Sequence, residues 1–343
     1  MKHKRFALVS LLPLLFSCAR MGIDDPQYVQ ELKANGDEDF VVLQLTDIHW
    51  NYSTNIEEAS AYLNNTIKVA KEEKGHIDLI EVTGDTLLVA NKKIATAIYD
   101  LIDSWGIKWA FTFGNHDYEG EWSEAWMNEL VSSSHYKNAV LPEEVNKLDD
   151  VDGYSNYVIN VKWGDGVNWQ IYNIDTHNLV QQSGSYDYDY VHPNQVSWYK
   201  SQTELAKKGN EYTPSIAFFH IPTSEINDMK EEEKIGGIKD EKYCPGKTFS
   251  EFYGVAKERN CRGMFFGHDH SNDIVWKHEG VVYGYGVKAN IELYSTEKDD
   301  VSITGCALYS LHKNGTFDLE HLIIDYDNME QGKSSLSWEV KDL

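Results

Sequence analysis

Three short apolar runs near the start of the chain, each ending in a polar cluster, restrict what this sequence can fold into. Phe40 to Thr46 delivers Asp47-Ile48-His49, Leu79 to Val82 delivers Thr83-Gly84-Asp85, and Trp109 to Phe113 delivers Gly114-Asn115-His116-Asp117. Between the runs, apolar residues recur at helical spacing: first Ile56, Ala59, Leu63, Ile67 and Ala70, then Ile94, Ile98, Leu101, Ile102 and Trp105. Strand–helix–strand–helix–strand is the pattern of a mainly parallel sheet with crossover helices. Function in such sheets gathers at the carboxyl ends of strands, where all three clusters sit.

The later sequence repeats the theme less regularly. Tyr157 to Val161 and Trp169 to Ile174 read as paired strands around Gly164-Asp165-Gly166, followed by Asp175-Thr176-His177 and a tyrosine-rich loop at 186–190. A helix is predicted from near Pro193 through Trp198 to Lys207, and the strand Ser215 to Phe219 stops at His220-Ile221-Pro222. Thr223 to Lys247, with Gly236-Gly237, reads as a mobile loop, and a helix over Phe249, Phe252, Tyr253 and Ala256 follows it. Met264-Phe265-Phe266 is another buried strand, ending at Gly267-His268-Asp269-His270. Strands near 274–276, 281–285, 301–311 and 317–324 then predict a second, more antiparallel sheet packed on the first. No internal repeat or second domain is visible.

Each polar cluster alone says little, because a lone strand-end histidine is more often a hydrogen-bonded structural residue than a ligand. Taken together, strand after strand ends in a residue able to hold a metal: Asp47 and His49, Asp85, Asn115, His220, then His268 and His270. Neutral imidazole is a common metal ligand. A mixed nitrogen and oxygen donor set suits zinc, manganese, iron or nickel better than calcium.

In this order the clusters resemble the calcineurin-like metallophosphoesterases, whose pattern runs DxH, GD, GNH(D/E), H, GHxH. The resemblance covers the chain from Phe40 onward. It implies an α/β fold, a four-layer α/β/β/α sandwich with two mixed β-sheets. It also implies two divalent metal ions (Mn, Fe or Zn). One would be held by Asp47, His49, Asp85 and His270, the other by Asp85, Asn115, His220 and His268, with Asp85 bridging. Such a pair clamps the attacking and leaving oxygens of an in-line displacement and lowers the pKa of a bound water, which attacks as hydroxide. By the same resemblance His116 protonates the leaving-group oxygen as general acid. Asp117 either fixes the His116 tautomer or caps local backbone.

Narrower features resemble short, single-domain purple-acid-phosphatase-like proteins. These are Phe218-Phe219-His220-Ile221-Pro222, Gly237…Glu241…Cys244-Pro245, the extended run from Gly267 to Asp273, and Pro193-x-Gln195-x-x-Trp198. One position departs: purple acid phosphatases carry an iron-binding tyrosine three residues after the bridging aspartate, and Leu88 stands there. Two divalent ions are therefore expected rather than a purple ferric site. Asp175 and His177 either line the substrate side or are structural, and the tyrosines at 186–190 either stack on an aromatic leaving group or are solvated. Among the histidines outside the pattern, His192 is read as a structural or surface residue.

Residues 1–18 stand apart. Lys2, His3, Lys4 and Arg5 precede a short apolar run, Phe6 to Phe16, and Leu15-Phe16-Ser17-Cys18 resembles a bacterial lipobox. The run is too short for a transmembrane helix and reads as an export signal. The protein is expected to be exported to the cell envelope and lipid-anchored through Cys18, or secreted if cleavage falls elsewhere. Residues 19–39 are polar and read as a tether, which leaves 40–343 as the phosphoesterase domain. Losing residues 1–17 removes three positive charges and takes the net charge from −24 to −27. Such a surface repels nucleic acid and anionic lipid, so no nucleic-acid partner is expected and membrane contact is confined to Cys18. Of Cys244, Cys261 and Cys306, the pair Cys244–Cys261 is the one to test for a disulfide.

The sequence thus predicts a phosphoesterase acting on a small phosphorylated substrate, with monoesters preferred and nucleotide or phospholipid-headgroup diesters open. The rival is a non-catalytic binding protein on the same fold. Oligomeric state is not readable from the sequence.

Overall fold

The computed structural model describes residues 29–141, 151–182, 184–291, 297–298, 301–324 and 332–343. The predicted export segment and Cys18 lie outside the described residues. The first half contains β1 (Val29–Lys33), β2 (Phe40–Leu45), α1 (Ile56–Lys74), β3 (Leu79–Thr83), α2 (Lys92–Ser104), β4 (Lys108–Thr112) and α3 (Glu124–Leu130). The middle contains β5 (Tyr157–Trp163), β6 (Gly166–Asn173), β7 (Leu179–Gln182), β8 (Ser185–Tyr188), α4 (Pro193–Leu205), β9 (Ser215–Phe218) and β10 (Lys234–Gly236). After α5 (Phe252–Glu258) come β11 (Cys261–Phe266), β12 (Val275–His278), β13 (Val281–Tyr285), β14 (Glu297–Lys298), β15 (Val301–Ser302), β16 (Gly305–Leu311), β17 (Phe317–Ile323) and β18 (Trp338–Val340).

Two mixed sheets result. One has six strands in the order β18-β17-β16-β2-β3-β4, the other eight in the order β1-β5-β6-β9-β11-β13-β12-β10. β2, β3 and β4 are parallel and joined by α1 and α2, as the spacing of their apolar residues predicts. Every residue of β2 and β3 is buried, because helices cover one face of this sheet and the second sheet covers the other.

The period of two along each strand of the larger sheet divides its side chains between two cores. Ile159, Ile216, Phe218 and Phe265 face the smaller sheet and join the core that also holds α1 and α2. Val158, Ala217, Phe219, Met264 and Phe266 point the other way, against Trp198 and Tyr199 of α4 and Phe252 of α5. The layers therefore run helix, sheet, sheet, helix. Phe265 sits centrally, its ring 4.3 Å from that of Tyr309. Truncating it to alanine would cost about 3–5 kcal/mol.

Several expectations need correction. The later strands do not form a sheet of their own: β16 pairs antiparallel with β2 and extends the first sheet, while β12 and β13 join the second. The predicted tether at 19–39 includes β1, whose residues pair in parallel with β5 from Val29↔Val158 to Lys33↔Lys162. That strand buries little, so its amphipathic signal is weak and its backbone pairing holds it. The tyrosine-rich loop includes β8, which closes an antiparallel hairpin with β7. The stretch 223–247 is pinned rather than mobile. β10 pairs with β12, Asp273 Oδ1 accepts from Ile238 N at 2.6 Å, and Asn272 Oδ1 accepts from Asp240 N at 2.9 Å.

Cys244 and Cys261 are both free thiols. Cys261 opens β11, whereas Cys244 N donates to Asp269 beyond that strand's other end, 3.1 Å away. Six strand residues span about 20 Å, far beyond the ~7 Å limit for the Cα atoms of a disulfide.

Candidate metal centre

The strand ends of both sheets meet along one edge, and the backbone there is held in an unusual way. Asp47, His49, Asp85 and His268 all adopt left-handed conformations, with φ of 53°, 52°, 50° and 81°. Residues with a Cβ rarely occupy this region, and each such position costs about 1–3 kcal/mol. The turn reverses the chain as it leaves the strand and aims the side chain inward. Two of the glycines that precede polar residues in the motifs have a steric reason. A Cβ on Gly114 would lie 2.3 Å from both the amide nitrogen and Oδ1 of Asp85; one on Gly267 would lie 2.0 Å from Thr46 Oγ1 and 2.3 Å from Asp47 Oδ2.

The donors form two groups that share one member. Asp47, His49, Asp85 and His270 offer atoms within 4.8 Å of one another, and so do Asp85, His220 and His268. His49 Nε2 is 2.8 Å from His270 Nε2 and 3.8 Å from both Asp47 Oδ1 and Asp85 Oδ2. His270 Nε2 is 3.5 Å from Asp47 Oδ1. Adjacent donors about 2.1 Å from one cation sit roughly 3 Å apart, so these separations fit shared coordination spheres.

Polar atoms left without hydrogen bonds support that fit. Asp85 Oδ2, Asn115 Oδ1, His220 Nε2 and both ring nitrogens of His268 are buried and have no hydrogen-bond partner. Asp85 Oδ2 and His220 Nε2 lie 3.0 Å apart but lack hydrogen-bonding geometry. Leaving a buried polar atom unsatisfied costs about 1–3 kcal/mol, so such a concentration requires a partner. The opposite ends of the ligands are fixed. His220 Nδ1 donates to Thr83 O at 2.9 Å, Asp47 Oδ2 accepts from Thr46 Oγ1 at 2.9 Å, and Asp85 Oδ1 accepts from His116 N at 2.8 Å. These bonds leave the other donor atoms facing one another.

Burial depresses His49 to about 4 and His268 to about 3, so both are neutral and ready to ligate at pH 7. His220 is the exception. Burial alone would lower it, but the Asp85 carboxylate reverses the effect and lifts it to about 9. Burial would likewise raise Asp85, yet the His220 cation holds it well below the usual carboxylate range.

His116 lies beside this set with 24% of its side chain exposed, its ring 5.4 Å from that of His49. Its Nδ1 is 2.7 Å from Glu119 Oε2, not from Asp117. Residues 115–118 form a 3-10 turn, and in such a turn the side chains at i and i+3 eclipse, which places Glu119 next to His116. Asp117 is fully buried. Its two oxygens accept from Gly114 N at 2.9 Å and Leu87 N at 3.2 Å, tying together the loops that carry Asn115 and Asp85. Of the two roles open to it in sequence, the structure selects backbone capping.

Other side chains close the cleft. Asp269, expected to be a spacer between the two histidines, accepts from Cys244 N and from Tyr285 Oη and so anchors the 240–247 segment. Tyr188, on β8, stands edge-on to His268 with ring centres 4.3 Å apart. Lys288 is buried and depressed to about 8 by burial, with Asp47 and Glu241 opposing that shift; no strand-end motif marks it in the sequence. Asp175 is structural, accepting from Tyr118 Oη, Tyr154 N and His177 N. At the position of the purple-enzyme tyrosine, Leu88 is half-buried and supplies no phenol.

A four-layer sandwich carrying two donor groups that share a carboxylate defines a dimetal phosphoesterase scaffold. The sequence pattern of the calcineurin-like phosphoesterase family matches residues 40–272, and the chain belongs to that family. Among curated relatives, "Probable inactive purple acid phosphatase 14" of Arabidopsis thaliana is 26% identical over 85% of this chain and 82% of its own length. "Probable inactive purple acid phosphatase 29" of the same plant is 27% identical over 75% and 73%. A dimetal phosphatase from Danio rerio superposes with a TM-score of 0.55, covering 90% of this chain and 100% of that one at 10% identity. At that identity the likeness shows the fold.

Proposed function

We propose that this protein is an active dinuclear phosphoesterase that hydrolyses small phosphomonoesters, with diesters of nucleotides or phospholipid headgroups as the second substrate class. Two divalent ions bound to Asp47, His49, Asp85 and His270, and to Asp85, Asn115, His220 and His268, would supply Lewis acidity and an activated water. His116 Nε2 donates the proton that the leaving-group oxygen needs. Glu119, at Nδ1, orients the ring and fixes its tautomer. Tyr188 and the 240–247 segment bound the cleft and select for shape. The acidic surface, −24 over the whole chain, disfavours a polyanionic substrate and fits a small one.

The names of the two plant relatives raise the rival reading, a protein that binds without turnover. The observation that carries the active reading is the His116–Glu119 pair beside two donor groups that share Asp85. A protein kept only for metal binding would not need an imidazole held by a carboxylate beside the ligands. The test is turnover of mono- and bis-(4-nitrophenyl) phosphate by the purified chain from Ala19 to Leu343 carrying two metal equivalents. Hydrolysis of neither would sink the active reading. Export and lipidation at Cys18 belong to the same proposal; a Cys18→Ala chain should lose radiolabelled palmitate incorporation and leave the membrane fraction.

A further inference from the structure

Among the described residues, a second cluster of ligand-type side chains shares no member with the centre around Asp85. His177 lies on the tail after β6, Asp189 directly follows β8, and His192 is the N-cap of α4; each offers a ligand atom within 4.8 Å of the others. His192 Nε2 is 2.9 Å from Asp189 Oδ1, and its Nδ1 is 2.6 Å from Asp152 Oδ2. The rings of His177 and His192 are 4.7 Å apart. His177 Nε2 is buried and has no hydrogen-bond partner.

We propose that His177 Nε2, His192 Nε2 and Asp189 Oδ1 form a third metal site for a divalent transition ion of the zinc class. Two nitrogens and one carboxylate are a common donor set for such an ion, with a further position left to water or a substrate oxygen. Asp152 completes the arrangement: a carboxylate on the distal nitrogen of a ligating histidine orients the ring and raises its basicity. The competing reading is an imidazolium at His192 clamped between Asp152 and Asp189. That reading satisfies His192 but leaves the buried His177 Nε2 without a partner, whereas a cation satisfies all three residues.

The position gives the site a purpose. The tail after β6, the β7–β8 hairpin and the start of α4 converge here, and the ion would cross-link them. Asp189 adjoins Tyr188, whose ring packs on His268. The third ion would therefore fix the wall of the cleft beside the second ion of the dinuclear pair. The remaining group of this kind among the described residues, His312 with Asp318 and Asp342, has a single histidine with both nitrogens facing carboxylates, and none of its side chains carries a buried atom without a partner as His177 does.

Metal stoichiometry on an Asp85→Asn background keeps the test separate from the dinuclear centre. The chain would be stripped with chelator, dialysed against micromolar Zn²⁺ and analysed by inductively coupled plasma mass spectrometry. Asp85→Asn should retain one equivalent, and Asp85→Asn combined with His177→Gln or His192→Ala should retain none. Asp152→Asn on the same background should weaken the remaining site by about 10–100-fold. Zinc taken up by Asp85→Asn only at millimolar concentration, or an equivalent that survives both histidine changes, would overturn the proposal. Circular dichroism of each variant confirms that the chain is folded, and two different histidine changes guard against one of them failing to fold.

Discussion

Around Asp85 the donors are held with their hydrogen-bonding atoms facing one another, and four of the residues sit in left-handed backbone. Around His192, some distance along the same edge, the side chains largely satisfy one another through Asp152 and Asp189, and one residue, His177, combines a left-handed backbone with a buried nitrogen lacking a partner. The first cluster stores strain and unmet polar demand that a cation relieves. The second can stand as a salt-bridged network without an ion. The difference implies graded affinity: the pair around Asp85 should bind its ions far more tightly than the cluster around His192 binds its own. A third case lies on β3, the strand that leads to Asp85. Glu81 is equally buried, but among the described residues no cationic side chain pairs with it, and burial raises its carboxyl to about 8 although Asn173 Nδ2 opposes the shift from 3.4 Å.

Removing the shared carboxylate should break the comparison most severely. Asp85→Asn is expected to release both ions of the pair and to lower kcat by about a thousandfold or more, since the metals contribute several kcal/mol to the transition state. Metal analysis alongside 4-nitrophenyl phosphate turnover checks both halves. His116→Ala should keep both ions and lower kcat by about 10²–10⁴-fold, with the larger loss on phenyl phosphate, whose leaving group needs the proton more. Loss of metal from that variant would instead place His116 among the ligands. Glu119→Gln should fall between wild type and His116→Ala on the same two substrates, because the ring stays but is held less firmly in its orientation. Asp117→Asn should not mimic it, and an equal leaving-group dependence in both variants would restore Asp117 as the partner.

The smallest effect concerns stability rather than turnover. Glu81 in the fold titrates at about 8 against an ordinary value of 4.5, so between those values the folded chain holds a proton that the unfolded chain has released. Stability contributed by the neutral form is complete below about pH 4.5 and declines as pH rises through about 8. Glu81→Gln keeps a neutral side chain of the same size and should flatten that slope. Its urea midpoint should exceed that of wild type at pH 9, by on the order of a few kcal/mol in free energy, and nearly coincide at pH 5.

What could be read from the sequence is whatever is encoded locally. A buried parallel strand is a continuous apolar run, and where it stops the next residues are at the carboxyl edge of a sheet; so Asp47, His49, Asp85, Asn115, His220, His268 and His270 could be placed together before any coordinates. The glycines at 84, 114 and 267 belong to the same local code, since the turn that follows each strand must approach a neighbouring loop. Tertiary structure decided what depends on direction and long separation. The choice of Glu119 over Asp117 as the partner of His116 follows from how a 3-10 turn projects its side chains. β16 joins β2 across more than two hundred residues, and β1 pairs with β5 through backbone bonds that leave no apolar signature. His177, Asp189 and His192 sit on three different segments, and no spacing in the chain announces that they meet. Periodicity and strand ends are properties of neighbours in sequence; hydrogen-bond partners across loops are set by packing, and only the folded chain specifies them.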